Sequence, residues 1–323
     1  MLFDIHGDIW TDVTAKREQG IKNIIRDYHL YRFKAGNMVG GIFVVWADPP
    51  HDKTPRKRLL QSIKAMSMEI NENKDIIKII YSADDFYNTV NENKLAVLIG
   101  LEGLSAIQDD IEELYILYQL GFRHVSLTWN EQNKIATGVK GDPDCGLSMA
   151  GKEAVKIIEN LGMILDVSHL NDKSFWDVYK TSQKPFIASH SNVRTLCNNP
   201  RNLTDDQIKA IGEKGGLIGI NAFSEFIHED SSKRNLNYLI KHMEHIINLI
   251  GIDKVSVGFD FFEYLNEDAK SFTNEKYVGL AGLEDISKSY NLILKLKNLG
   301  YSKEDIDKIS YKNFIGYMDK VLK

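Results

Sequence analysis

The chain has 323 residues, of which 43% are hydrophobic and 26% charged, as in an ordinary soluble globular protein. The net charge of −5 and the pI near 6.0 leave no basic excess for neutralising phosphates, so a nucleic-acid partner is not expected. The two cysteines, Cys145 and Cys197, form neither a metal-type spacing nor a disulfide framework, which predicts a reducing compartment.

The sequence carries no recognisable membrane signal. Strand-like sequence begins at residue 2, which leaves no space for a basic and apolar leader peptide. No stretch approaches the roughly 18 apolar residues that cross a bilayer. The final residues, GYMDKVLK, are charged and lack the apolar tail of a lipid-anchor signal. We therefore expect a cytoplasmic protein without a membrane partner.

Short runs rich in Val, Ile, Leu and Phe recur along the chain. Each run is almost continuously apolar instead of alternating, which is typical of parallel strands covered on both faces. In chain order the eight runs are residues 2–9, 40–47, 94–102, 124–129, 163–169, 185–191, 216–222 and 254–261.

The segments between these runs have the periodicity of amphipathic helices. Gly121 and Gly162 are placed to end two of them as C′ residues. Thr204 is placed to begin another as an N-cap, with acidic residues in the first turn. Two long polar segments, 130–148 and 262–280, are expected to cover a mouth of the fold.

The alternation of strands and helices predicts an α/β fold, a (β/α)8 barrel. Because no Pro- or Ser-rich linker interrupts the pattern, we expect one domain over residues 1–323. A doubly wound open sheet is the main alternative. It lacks support, since no G-x-G-x-x-G follows an early strand.

Ionisable residues stand at the predicted carboxyl ends of these strands, where barrels form their active sites. Each of them alone is compatible with a buried structural pair. Together they predict a cluster of residue types that bind borderline metals. The six residues are His6, Asp8, Glu102, His169, His190 and Asp260.

This set of side chains suits the hydrolysis of an amide. Neutral imidazoles and carboxylates can hold two divalent ions if one carboxylate bridges them. Such a pair can activate water at neutral pH and polarise a carbonyl group. A further carboxylate can take the proton of the water and pass it to a leaving amine.

The sequence resembles the membrane (renal) dipeptidase family and its soluble bacterial relatives, within the amidohydrolase superfamily. The matching pieces run nearly the full length, and their order and spacing are specific. They are DIHGD (4–8), IGLEG (99–103), GFRHVSLTWNEQN (121–133), GLSMAGKEAVKIIENLGMILDVSH (146–169), PFIASHSNVR (185–194), NPRNLTDDQI (199–208), VGFDF (257–261), GLED (282–285) and NF (313–314).

The resemblance implies a barrel that binds two Zn²⁺ ions per chain. His6 and Asp8 would bind the first ion, and Glu102 would bridge it to the second. His169 and His190 would complete the protein ligands of the second ion. At family level a homodimer is also expected.

The resemblance further implies how a small dipeptide would be bound and cleaved. Asp260 would be the catalytic proton shuttle, and Arg201 would hold the free carboxylate of the substrate, where its planar guanidinium suits bidentate pairing. Because the family accepts a D-residue on the carboxyl side, L,D-dipeptides are expected among the substrates.

The chain departs from the family pattern at two positions. Trp129 stands in the fourth-strand motif where the renal enzyme has a histidine, so we expect it to contribute to substrate binding. Asp260 is followed by Phe261, Phe262 and Glu263, where the family usually reads DFDG. This change puts the geometry of the loop and the substrate preference in doubt.

Two other functions fit the same residues. One is a different amidohydrolase reaction, such as deacylation of N-acyl amino acids or lactone hydrolysis. The other is a catalytically inactive relative that binds metal or takes part in assembly. The remaining histidines are interpreted as structural, and His124 is expected far from the rim, at the start of its strand.

Overall fold

The computed structural model describes residues 1–273 and 279–323. All the strand pairs within its two sheets are parallel, as the nearly continuous apolar runs predict. The strands are β1 (Leu2–Gly7), β2 (Met38–Trp46), β3 (Ile77–Ile79), β4 (Leu95–Glu102), β5 (Phe122–Ser126), β6 (Ile164–Asp166), β7 (Ile218–Ile220) and β8 (Val255–Val257).

Helices follow most of the strands and cover the outside of the sheet. They are α1 (Ile9–Glu18), α2 (Leu30–Ala35), α3 (Pro55–Glu72), α4 (Ala83–Asn91), α5 (Glu113–Gln119), α6 (Met149–Leu161), α7 (Asp172–Thr181), α8 (Asp205–Glu213), α9 (Leu236–Ile250), α10 (Tyr290–Asn298), α11 (Lys303–Asp307) and α12 (Asn313–Val321). π-Helical segments lie at Ile25–His29 and Lys308–Lys312, and short 3₁₀ segments at His51–Lys53, Ser224–Phe226, Ser231–Lys233, Ile252–Lys254, Ala269–Phe272 and Ile286–Lys288.

The wall of the fold is a (β/α)8 barrel whose pairing runs β1-β2-β4-β5-β6 and, separately, β7-β8. Single bridges join the two parts, from Asp166 to Ile187 and from Ala188 to Ile218. The strand predicted at 185–191 therefore narrows to the bridges at Ile187 and Ala188. These bridges join both parts into one wall, and β1 lies against β8, so the sheet closes on itself and the open-sheet alternative is wrong.

The side chain of Asp4 in β1 binds the backbone just after β8 and so helps to close the barrel. Oδ1 of Asp4 accepts hydrogen bonds from the backbone N–H groups of His6 and Phe259, at 3.2 and 3.0 Å. Burial raises the pKa of Asp4 well above its usual value, and the two N–H donors partly oppose this shift. Asp4 thus joins the first and last strands where the described backbone forms no ladder between them.

The C-terminal helix covers the end of the barrel at which the strands begin. Phe314 of α12 stacks on Phe3 of β1, with ring centroids 5.4 Å apart, and both side chains are fully buried. Burying two such rings contributes several kcal/mol. The opposite end, where the strands finish, is the one that carries the ionisable residues.

The helix boundaries agree well with the signals in the sequence. Gly162 follows α6 in the left-handed conformation, and Gly121 follows α5 with a positive φ. Thr204 caps α8 through a capping box with Gln207. The element β3–α4, at 77–91, was not predicted, since its strand has only three residues and pairs only with the start of β4.

Candidate active site

The six ionisable residues predicted at the strand ends lie together at the carboxyl rim of the barrel. Their ligand atoms form overlapping groups in which all members lie within 4.8 Å of one another. The three groups are His6, Asp8 and Glu102; Glu102, His169 and His190; and His6, His190 and Asp260. Glu102 and two of the histidines each occur in two groups, so the three groups form one continuous cluster.

Two imidazole nitrogens and a carboxylate oxygen face each other in the second group. Nε2 of His169 lies 2.8 Å from Nε2 of His190 and 2.9 Å from Oε1 of Glu102. Nδ1 of His169 lies 2.9 Å from Oδ1 of Asn130, an acceptor, so Nδ1 carries the proton and Nε2 presents a lone pair. Three lone-pair atoms arranged in this way are suited to binding a metal cation between them.

The first group contains buried polar atoms that have no hydrogen-bond partner among the described residues. Nε2 of His6 and Oδ1 of Asp8 are buried and form no hydrogen bond within the described part of the chain. Nε2 of His6 lies 3.7 Å from Oε1 of Glu102. Orphaned buried polar atoms are costly unless an ion or a ligand satisfies them. The residues therefore fit a metal in this group too.

Burial shifts the pKa values of the cluster towards uncharged forms. Desolvation lowers the pKa of His6 to about 3 and that of His169 and His190 well below the usual value. Desolvation and the neighbouring carboxylates raise the pKa of Asp8 and Glu102 well above theirs. Neutral imidazoles are the form that binds metal, and a bound cation would favour the ionised carboxylates.

Asp260 differs from the other members because its side chain is partly exposed to the cavity. Oδ1 lies 3.7 Å from Nε2 of His6, and Oδ2 accepts a 3.0 Å hydrogen bond from Nδ2 of Asn221. Burial raises its pKa to about 6, although Asn221 and Arg201 oppose the shift. A carboxyl group with a pKa near neutrality is suited to taking up and returning a proton.

A cavity of about 260 Å³ opens onto the cluster. This is close to the lower end of the range for small-molecule sites, roughly 300–1,000 Å³. Both long segments expected at the mouth reach it, through Val139 and Lys140 on one side and Phe272 and Thr273 on the other. Of the segment 262–280, residues 274–278 lie outside the described part of the chain.

Arg201 lies in the wall of this cavity with its side chain buried. It donates a long hydrogen bond of 3.4 Å to the carbonyl of His190, and its Nε is buried without a partner in the described residues. Its guanidinium carbon lies 5.4 Å from the ring centroid of Phe226. A buried cation of this kind has donors left for an anionic ligand.

Trp129 belongs to an aromatic wall of the same cavity. Its ring lies 5.0 Å from that of Trp46 and 5.8 Å from that of Phe272, measured between centroids. The centroid of His169 is 6.3 Å away. Trp129 therefore offers an apolar surface beside the metal-ligand cluster rather than a cationic group.

The segment after Asp260 is packed into the protein. Phe261 and Phe262 are buried, and Glu263 pairs with Arg32 at 3.2 Å. Asp260 itself has a φ of +60°, a left-handed conformation that is unusual outside glycine. His169 has the same type of backbone, with a φ of +71°. Strain of this type is most often found at functional sites.

The polar residues that hydrogen-bond to the cluster were not predicted from the sequence. They are Asn130, Asp166, Ser189 and Asn221, all buried within hydrogen-bonding distance of the cluster or of one another. Asn130, Asp166 and Ser189 stand inside the matching pieces 121–133, 146–169 and 185–194, and two of these pieces also contain a predicted metal ligand, which was the available signal.

Three histidines for which a structural role was expected, namely His29, His242 and His245, have protein partners. Nε2 of His29 lies 2.8 Å from Asp12, and Nε2 of His245 lies 2.9 Å from Asp205. His242 accepts from the N–H of Val193 and donates to a backbone carbonyl. His124 is bonded to Asp166 beneath the cluster, so it is connected to the site more closely than its place in the strand indicated.

Comparison with known proteins finds one family model, described as membrane dipeptidase (peptidase family M19), which matches residues 1–322. A Klebsiella pneumoniae protein described as an uncharacterized protein in the pqqA 5′ region is 30% identical over 272 residues, covering 81% of this chain and 96% of that protein. An uncharacterized dipeptidase of Schizosaccharomyces pombe is 33% identical over 226 residues, covering 68% of this chain and 51% of that protein.

The fold also matches solved structures. A metallopeptidase from Rhodobacter sphaeroides, solved with a phosphinate mimic of the dipeptide L-Ala-D-Ala, superposes with a TM-score of 0.87 at 23% identity, covering 99% of both chains. This similarity shows a shared fold. Within the described residues, no helix is both long and apolar enough to cross a membrane.

Proposed function

Because the chain belongs to the membrane dipeptidase family, peptidase family M19, we propose that it is a metal-dependent dipeptidase acting on dipeptides with free termini. The observation that carries the proposal is the arrangement around Glu102, where Nε2 of His169 and Nε2 of His190 converge on one carboxylate oxygen. The lone pairs of three side chains meet at this point, and one bound metal cation would satisfy all three.

We propose that two Zn²⁺ ions bind per chain. His6 and Asp8 would hold one ion, His169 and His190 would hold the other, and Glu102 would be shared by both. The imidazole and carboxylate donors fit zinc better than Mg²⁺, which prefers oxygen ligands alone. When bound, the ions would supply Lewis acidity towards the peptide carbonyl and lower the pKa of the water that attacks it.

Asp260 is the catalytic acid and base in this proposal. Its Oδ1 faces the cluster while Asn221 fixes Oδ2, so one oxygen is free to take the proton of the attacking water. The same oxygen then returns the proton to the leaving nitrogen, which departs as an amine. In the metal-free protein, burial raises the pKa of Asp260 above that of an ordinary carboxyl group, which favours its uptake of a proton.

The two ends of the substrate are recognised by opposite charges. Arg201 pairs with the free carboxylate, since its guanidinium is buried in the cavity wall and its Nε has no described protein partner. The carboxylates of the cluster lie where the free amine of a short substrate would be held. Trp129 covers the substrate from the aromatic wall.

The size of the cavity supports dipeptides rather than longer peptides. The relative from Rhodobacter sphaeroides was solved with a mimic of L-Ala-D-Ala, so we include L,D-dipeptides among the proposed substrates. We also propose that residues 1–323 form one catalytic domain, since the family match spans 1–322. The cytoplasmic location and a homodimer stay predictions.

The proposal is tested by hydrolysis of L-Ala-L-Ala and L-Ala-D-Ala, followed as amine release, by chelated and zinc-reloaded protein. We expect cleavage only after reloading, and the ratio of the two rates measures the stereochemical preference. N-acetyl-L-alanine and a lactone serve as comparison substrates. Protein that holds two zinc ions but cleaves only a comparison substrate would replace the dipeptidase proposal with another amidohydrolase reaction.

A further inference from the structure

A hydrogen-bonded chain of buried side chains runs beneath the ligand cluster. Nε2 of His124 lies 3.0 Å from Oδ2 of Asp166, which accepts a 2.5 Å bond from Oγ of Ser189. The same Oγ lies 2.7 Å from Nδ1 of His190. All four residues have zero solvent exposure, so water does not compete for these bonds.

The direction of each bond follows from the number of protons available. Asp166 also accepts from the backbone N–H groups of Ser168 and Ser189 at Oδ1. Burial alone would raise its pKa, but hydrogen bonds including those of His124 and Ser189 hold the pKa at about 2, so it is an ionised acceptor. Ser189 has a single hydroxyl proton, which it gives to Asp166.

The hydroxyl of Ser189 is then left as an acceptor towards His190. Nδ1 of His190 must carry the proton in that bond, and Nε2 must present its lone pair to Glu102 and His169. The chain therefore selects one of the two neutral tautomers of His190. That tautomer is the one able to bind a metal through Nε2.

The backbone around Ser189 fits closely against its neighbours. A Cβ on Gly219 or on Gly258 would lie 1.9 or 1.8 Å from the carbonyl oxygen of Ser189, so only glycine permits this approach. The N–H of Ser189 is meanwhile held by Asp166. The backbone of Ser189 is therefore held in place, and its Oγ lies within hydrogen-bonding distance of both Asp166 and His190.

We propose that His124, Asp166 and Ser189 are positioning residues that hold His190 in its metal-binding tautomer and orientation. This inference rests on the proposed function, because it treats His190 as a zinc ligand. None of the three residues touches the substrate in the proposal; they act through the imidazole of His190.

The first test is zinc affinity, measured without substrate by competition with a chromogenic chelator. In Ser189→Ala no hydroxyl holds the proton of His190 on Nδ1. We therefore expect the zinc dissociation constant to rise about 10- to 100-fold. Ser182→Ala is the matched control: Ser182 is equally buried and donates a 2.5 Å bond to a buried carboxylate, Glu159, away from the cluster.

Asp166→Asn is expected to weaken zinc binding more than Ser189→Ala. Its Nδ2 would donate to Oγ of Ser189, which would then give its own proton to Nδ1 of His190. Nε2 of His190 would carry the remaining proton and could not bind metal. A purely structural role for Asp166 does not predict this change of tautomer. Weaker zinc binding in Asp166→Asn than in Ser189→Ala would therefore support the inference.

The tautomer can be observed directly by long-range ¹H–¹⁵N NMR of metal-free protein with ¹⁵N-labelled histidine, the His190 signal being assigned by its loss in His190→Gln. We expect the Nδ1–H form in the wild type and the Nε2–H form in Asp166→Asn. The Nε2–H form in the wild type, or equal zinc affinity in Ser189→Ala and Ser182→Ala, would overturn the inference even if dipeptides are cleaved. The expected zinc affinities without dipeptide cleavage would overturn the proposed substrate alone.

Discussion

Nε2 of His169 and Nε2 of His190 lie 2.8 Å apart, each directed at Oε1 of Glu102. Both imidazoles are neutral when buried, and each carries its one proton on Nδ1, so no N–H lies between the two Nε2 atoms. Without metal, the folded protein therefore keeps buried lone-pair atoms that no partner satisfies. Bound metal should increase its stability.

Zinc is accordingly expected to raise the midpoint of thermal unfolding of chelated protein. Ligand at 100 times its dissociation constant stabilises a folded protein by about 2.7 kcal/mol. Calorimetry with increasing zinc measures the shift, and Mg²⁺ at the same concentration is the control, since imidazole ligands do not suit it. Equal shifts with both ions would argue against a histidine-based site.

Replacement of Asp260 by asparagine should separate metal binding from turnover. The variant keeps the shape of the side chain but loses the group that takes and returns a proton, so we expect kcat to fall roughly 10²- to 10⁴-fold. Zinc content is expected to stay at the wild-type value. An unchanged kcat would remove Asp260 from the mechanism.

Replacement of Arg201 by lysine should weaken recognition of the substrate carboxylate, because the ammonium group cannot form the bidentate pair. Replacement by alanine should cost more, on the order of 2–5 kcal/mol in kcat/KM. The measurement compares a dipeptide with its C-terminal amide, and the preference for the free acid should collapse.

A second arginine provides the control for this experiment. Arg194 pairs in bidentate fashion with Asp172 and does not line the cavity. Arg194→Ala should therefore keep the preference for the free carboxylate. If Arg201→Ala also keeps it, the carboxylate is bound elsewhere.

His242 should make the stability of the protein depend on pH. Its Nδ1 accepts from Val193 N–H and is buried, and burial lowers its pKa to about 4. Between pH 6.5 and about 4 the unfolded chain takes up a proton that the folded chain does not, so stability falls as the pH falls. The full effect is on the order of 3 kcal/mol.

The pH effect is measured by urea unfolding of metal-free protein at several pH values in this window. His242→Gln should have a flatter pH dependence than the wild type. Leu239→Ala, a buried apolar change on the same helix, should lower stability at every pH while leaving the slope unchanged. Parallel curves for the wild type and His242→Gln would refute the prediction.

The sequence allowed the barrel and the residues of the cluster to be predicted because both have local signals. An apolar run ending in His169 or Glu102 is visible without knowing what lies beside it. The hydrogen bond that Ser189 donates to Asp166 joins residues 23 positions apart. The one that Phe259 donates to Asp4 joins residues 255 positions apart. Contacts of that kind depend on the tertiary fold and leave no local pattern.

The left-handed backbone at His169 and Asp260 affects how easily such a protein could lose its catalytic activity by mutation. A side chain in this conformation costs roughly 1–2 kcal/mol, whereas glycine accepts it freely. We expect His169→Gly and Asp260→Gly to be inactive but at least as stable as the wild type without metal. Loss of the activity through such a substitution would then cost no folding stability. The barrel could persist without its reaction and acquire other functions.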